Sequence, residues 1–119
     1  MTDRELLEGA ARAAGLKISP IRQEMRDADG FGHVGLWIHG VSTCWNPLRD
    51  DHDALRLAVK LKLQVLTGQG PDGDITWVRP PEELDIEGPS ERHGSDANAA
   101  TRRAIVRAAA EIGSEQPDT

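Results

Sequence analysis

The stretch Ser95-Asp96-Ala97-Asn98-Ala99-Ala100-Thr101-Arg102-Arg103-Ala104-Ile105-Val106-Arg107-Ala108-Ala109-Ala110-Glu111-Ile112-Gly113 decides the fold. It opens on a Ser/Asp cap and closes on glycine, the two signals that bound a helix. A helix over 97–112 puts Ala97, Ala100, Ala104, Ile105, Ala108 and Ile112 on one stripe, and side chains this small allow close packing on a sheet. Arg102, Arg103 and Val106 fall opposite that stripe, with Arg107 beside them. Gly113 reads as the stop, and residues 114–119 as a disordered tail.

Working back along the chain, residues 82–95 form an acidic stretch with Pro89 and two glycines, expected as a mobile surface loop. Pro80-Pro81 ends a strand over Asp74–Arg79, since proline cannot donate to a ladder. Leu63–Thr67 is a second strand, joined to the first through the glycine-rich turn at residues 68–73. Before it, Asp50 or Asp51 caps a helix running to about Lys62. Its main apolar stripe is Ala54, Leu57, Ala58 and Leu61, and Leu55 and Val59 add a second. A helix with so wide an apolar surface is either well buried or carries an interface, and a homodimer through it is one expectation.

The N-terminal half supplies the rest. His33–His39 alternates as a strand, with Val34, Leu36 and Ile38 on one face and His33, Gly35, Trp37 and His39 on the other. Lys17–Arg26 reads as an edge strand interrupted by Pro20, with a turn at Asp27-Ala28-Asp29-Gly30. Thr2 and Glu5 form a capping box that opens a helix over Asp3–Ala14, with Gly15 at its end. The predicted order is α-β-β-α-β-β-α. It implies one α+β domain over residues 1–113, a layered sandwich of three helices on a mostly antiparallel four-stranded sheet.

Composition narrows the function classes. The 119 residues carry 14 basic and 20 acidic side chains, a net charge of −6. Residues 82–96 hold six acids against Arg92 alone, so the rest of the chain is near neutral. That balance argues against generic nucleic-acid binding, which needs a basic footprint. A single cysteine, Cys44, excludes an internal disulfide and suits a reducing compartment. No run is long and apolar enough for a signal peptide or a membrane span, so the expected location is the cytoplasm.

The candidate chemistry is sparse. His33 and His39 stand about 20 Å apart on one strand and cannot share an ion. His52 beside Asp50, Asp51 and Asp53 reads more plainly as an acidic helix start than as a ligand cluster. Cys44 with a histidine base is the one nucleophile arrangement to consider, and a lone cysteine more often behaves as a small hydrophobe. No protease, P-loop, zinc or redox motif is present, and no metal or cofactor is implied. Trp37 is the aromatic residue best placed for a binding role, on a strand face with two histidines. Arg102, Arg103 and Arg107 make a local positive patch around Val106. An acidic partner, a nucleotide or the chain's own acidic loop would each suit it.

Trp45-Asn46-Pro47, then Asp53-Ala54 opening an apolar helix, then Thr101-Arg102-Arg103-Ala104 leading an alanine-rich final helix, resemble small bacteriophage accessory proteins of the ABA-sandwich or NinX-like type. The first helix, ending in Ala14-Gly15, fits as well. The resemblance implies a phage or prophage origin, a bacterial cytoplasm and helices enclosing a sheet. It brings no assigned active site. The expected function is therefore non-enzymatic binding of a host factor, a component of a defence system being one such target. The alternatives are sequestration of a small nucleotide signal, or a small enzyme using Cys44 or a histidine.

Overall fold

The computed structural model describes residues 1–115. Among the described residues there are four α-helices: α1 (Asp3–Ala13), α2 (Pro20–Ala28), α3 (Asp51–Lys60) and α4 (Ala97–Ser114). Five strands form two antiparallel sheets. β1 (Leu36–Trp37) pairs with β2 (Cys44–Trp45), and β3 (Gln64–Gly70), β4 (Gly73–Arg79) and β5 (Ser90–Arg92) pair in the order β3-β4-β5. The α+β class holds. The expected three helices on one four-stranded sheet become four helices with two separate sheets.

α4 is the centre of the molecule. It packs against α1, α3, β4 and β5. Its residues Ala104, Ile105, Val106, Ala108, Ala109, Ala110, Ile112 and Gly113 are all buried, so its apolar surface is wide and leaves only the side of Arg103, Arg107 and Glu111 charged. Leu6, Leu7, Ala10 and Ala11 of α1 and Ala54, Leu57 and Ala58 of α3 complete the core with Leu36, Ile38 and Val78. Gly113 is not a stop. It lies inside α4 against the backbone of α1, where an added Cβ would land on the carbonyl oxygen of Gly9. The helix runs on to Ser114, and Glu115 caps it. Of the expected tail, residues 116–119 lie outside the described residues.

The largest correction is α2. Ser19 accepts from the backbone N–H of Arg22 and Pro20 follows at the first helical position. That is a helix start, because proline's missing N–H and fixed φ cost nothing there. Pro20 marks a helix N-terminus rather than an interrupted edge strand. The expected strand over His33–His39 also shrinks: Gly32–Val34 is a 3-10 turn, and only Leu36–Trp37 joins a ladder. Ile38 makes an isolated bridge to Ile18. The acidic stretch contains the 3-10 turn Glu82–Leu84 and strand β5.

One ion pair ties α2 to α1. Arg4 donates both terminal nitrogens to the Asp27 carboxylate, at 3.2 and 3.0 Å. Gln23, buried on α2, donates to the same carboxylate and accepts the backbone N–H of Trp37. The Arg4 bonds hold the Asp27 carboxyl below its usual pKa. The Thr2 backbone N–H does the same for Glu5 in the capping box, with help from the Thr2 hydroxyl. A carboxylate whose folded pKa is depressed stabilises the fold above its unfolded pKa. That contribution disappears as pH falls through the folded value. Asp27→Asn is therefore expected to lower the melting temperature at about pH 6. The gap from the wild type narrows as pH falls through the depressed folded-state pKa of Asp27 and its carboxyl protonates. A gap that stayed constant over that range would show that the pair does not couple to folding.

Candidate partner-binding face

The arginines of α4 pair with the chain's own acids. Arg102 donates through Nε to the Leu48 carbonyl at 2.9 Å and through Nη1 to Asp51 at 2.7 Å. Arg103 meets Asp3 at 3.1 Å and Glu91 at 3.4 Å. Arg107 meets Glu91 at 2.8 Å and the Ser90 carbonyl at 3.1 Å. Glu91 sits on β5, in register with Thr76 of β4, so the acidic segment is laid over α4 and held there by two arginines. Of the three occupants suited to this patch, the chain's own acidic segment is the one in place. Val106 belongs to no exposed face: its side chain is 0% exposed. Val106 is buried because α4 has partners on several sides, and this residue opposite one buried stripe meets another.

Trp37 is also engaged. The guanidinium carbons of Arg22 and Arg26 stand 5.4 and 4.8 Å from its ring centroid, within cation–π range. Arg22 further donates to the carbonyls of Ile38, Val41 and Ser42, clamping the segment between β1 and β2. The tryptophan is half-buried and already covered by α2 side chains.

The nucleophile and base candidates are dispersed or occupied. Cys44 Sγ points at the Val34 carbonyl, 3.6 Å away. His93 Nε2 lies 2.7 Å from the buried Thr76 hydroxyl, which is 2.9 Å from the Thr101 hydroxyl. Thr101 donates its proton to the Ala97 carbonyl, so it accepts from Thr76, and Thr76 accepts from His93. That chain fixes the His93 proton on Nε2 and links β4 and the end of β5 to α4. His33, His39 and His52 are exposed. Among the described residues, no group of three or more His, Cys, Asp or Glu side chains is placed to hold a metal ion.

One side of α3 is open, as is the Ile21–Met25 side of α2. The Asp50 carboxylate caps the helix on the Asp53 N–H, and Asp51 and Asp53 favour its positive end. Ala54, Leu57 and Ala58 face the core. His52, Leu55, Arg56, Val59 and Lys60, spaced three or four apart, share the other side and are all exposed. Leu55 is 63% and Val59 69% exposed, one turn apart. Arg56 and Lys60 lie beside this apolar pair. In contrast to the α4 arginines, neither makes an ion pair with any described residue.

The same two cations edge a cavity of about 320 Å³ between α3, the C-terminal end of α1 and the β1–β2 sheet. Leu16, Ile38, Val41 and Trp45 give it apolar walls, and Cys44 opens onto it. Asp53, also at its edge, accepts the Asn46 N–H at 2.9 Å and so fixes the turn after β2 to α3. The apolar pair, the cations and the cavity thus form one continuous surface. Its sequence signal was the second apolar stripe of Leu55 and Val59, legible as either buried or interfacial. The cations between that stripe and the cavity were not singled out, because their value depends on lacking partners.

The fold and this surface define an α+β chain with an open amphipathic helix face. No protein-family model, curated protein or solved structure matches the chain.

Proposed function

We propose that this chain is a non-catalytic binding protein, a bacteriophage or prophage accessory protein that engages a bacterial host protein through α3. The observation that carries the reading is the exposed Leu55–Val59 pair beside the unpaired Arg56 and Lys60. Exposed apolar side chains next to cations suit an acidic partner surface that offers an apolar knob of its own. The apolar contact then supplies affinity, and the charges supply orientation and association rate. The phage origin rests on the resemblance of the Trp45-Asn46-Pro47, Asp53-Ala54 and Thr101–Ala110 segments.

The test is affinity capture from bacterial lysate with matched variants. A stoichiometric partner held by the wild type should be lost by Leu55→Glu/Val59→Glu and by Arg56→Glu/Lys60→Glu. Because all four side chains are exposed, folding stability should stay within about 0.5 kcal/mol of wild type. Equal capture by wild type and both variants would refute the assignment to α3.

A second reading uses the same cations. The cavity beside Arg56 and Lys60 lies at the small end of the range for ligand sites, which begins at roughly 300 Å³. A small anionic ligand such as a cyclic nucleotide would place its phosphate on those two residues. The earlier candidates for nucleotide recognition lose support here, because Trp37 is covered and the α4 arginines are paired. Calorimetry over a cyclic-nucleotide panel decides this reading, and a flat response across the panel removes it.

A further inference from the structure

We propose that β3 pairs antiparallel with β3 of a second copy of the chain, joining two three-stranded sheets into one of six strands across a twofold axis. The direction of the peptide groups is the first ground. Val78 N–H donates to the Pro89 carbonyl, and His93 N–H to the Asp74 carbonyl, both at 3.0 Å. Residues 74, 76 and 78 of β4 therefore bond towards β5. By the alternation of an antiparallel ladder, residues 73, 75, 77 and 79 bond towards β3. Their partners in register are Gly70, Gly68, Leu66 and Gln64. Val65, Thr67 and Gln69 are left with N–H and C=O groups aimed outward, at an edge that no other described strand covers.

That edge lacks the usual protections. Residues 63–70 contain no charge and no proline, and the pairing with β4 runs one-to-one over seven positions without a bulge. Gln64 through Gln69 are all exposed, Val65 and Leu66 among them. Soluble proteins blunt free edges with charges, prolines, bulges or a covering element. An edge without these fits one that is covered by another strand.

The sequence is complementary to itself in one register. Centring the pair on Thr67 sets Thr67 against Thr67 and Val65 against Gln69 of the second copy. The outward groups of residues 65, 67 and 69 then meet one another in about six main-chain hydrogen bonds. Beyond the two ends of that ladder, the turn that carries Lys62 lies next to the hairpin turn that carries Asp72 of the second copy, twice by symmetry, and the long lysine side chain spans between them. Asp72 already meets Arg92 at 2.9 Å, and its exposed carboxylate has acceptor sites left for an ammonium. Centring on Val65 or Gln69 shortens the ladder and separates these charges. On the outer face, the Trp77 ring lies over Gly68, where an added Cβ would be 3.7 Å from Cζ3. Leu66 of the second copy falls opposite Gly68, against that ring.

Sedimentation velocity of the full chain from about 1 to 200 µM tests this. The expected result is a concentration-dependent dimer. Thr67→Pro removes an outward N–H at an edge, where proline is tolerated. It should raise the dissociation constant at least about tenfold with an unchanged far-UV circular dichroism spectrum. Lys62→Asp should also weaken the dimer, and adding Asp72→Lys should restore it. Should Thr67→Pro fail to fold, the charge-swap series decides. A wild type that stays monomeric over the range overturns the proposal. So does a dimer indifferent to both β3 changes, or one dissociated instead by Leu55→Glu/Val59→Glu.

Discussion

Gly113→Ala is expected to destabilise the protein by about 2 kcal/mol, although the same change in an exposed helix interior stabilises by about 1 kcal/mol. The inversion of sign follows from the α1–α4 crossing. Gly113 is buried within α4, and a Cβ there would occupy the space of the Gly9 carbonyl oxygen. That oxygen belongs to the α1 backbone, so it cannot swing aside as a flexible side chain would. Relief requires the two helices to separate, which loosens the packing of Leu6, Leu7, Ala10 and Ala11 around α4. Gly9→Ala is the graded comparison. Its added Cβ would lie 3.2 Å from Ala110 Cα, tight enough that a shift of a few tenths of an ångström accommodates it. Its cost should stay below about 1 kcal/mol, with the gain in helix propensity offsetting part of the crowding. Urea unfolding reads both through the midpoint at constant slope. A stabilised or neutral Gly113→Ala protein would mean that the helices do not cross this closely.

The sequence was most readable where local chemistry and burial agree. The capping box of Thr2 and Glu5 and the caps, Asp50 of the Asp50–Asp51 pair and Asp96 of the Ser95–Asp96 pair, follow from short-range rules, and the β3–β4 hairpin is present with its ladder running on through Gly68–Gly70, a stretch expected as turn. It was least readable where one residue type serves two purposes. Pro20 fits both an edge strand and the first turn of a helix. Ser19 before it distinguishes the two, because a serine side chain can cap the N–H three residues on. Gly113 fits both a helix end and a close helix crossing, and only the approach of α1 separates them. β5 was hidden in a polar, proline-flanked triplet with no alternation of its own. It is specified by its ladder to β4 and by the two arginines that hold Glu91. The α4 basic patch shows the same ambiguity for function. Three arginines in six residues look like a docking site until their acids are located, and those acids come from residues 3, 51 and 91. The α3 face carries the opposite lesson. Its cations looked ordinary in the sequence, and they gain meaning from having no described ion-pair partner.

Val106→Asp is expected to prevent folding, and it separates the two accounts of α4 most sharply. A docking-face residue should accept aspartate at little cost to stability, and lose only binding. In the structure Val106 has no exposure and lies in the core cluster with Ala104, Ile105, Ala109 and Val78. An ionised carboxylate there is stripped of water, and Arg102, the part-buried cation one turn back, is already held by the Leu48 carbonyl and Asp51. Arg103 and Arg107 are held outward by Glu91, and moving them inward would release the β5 segment. Protonating the side chain instead leaves a polar group in an apolar setting and still removes the valine's packing. Either route costs on the order of 4 kcal/mol or more, a large share of the roughly 5–15 kcal/mol that holds a domain folded. Val106→Ala should cost about 2 kcal/mol through lost burial and the cavity left behind. Leu55→Asp on α3 should cost less than about 0.5 kcal/mol, since its side chain is already mostly in water. Circular dichroism and soluble yield of the three variants give the ordering. A folded, soluble Val106→Asp protein would place this side of α4 at the surface and return the arginine patch to the list of binding sites.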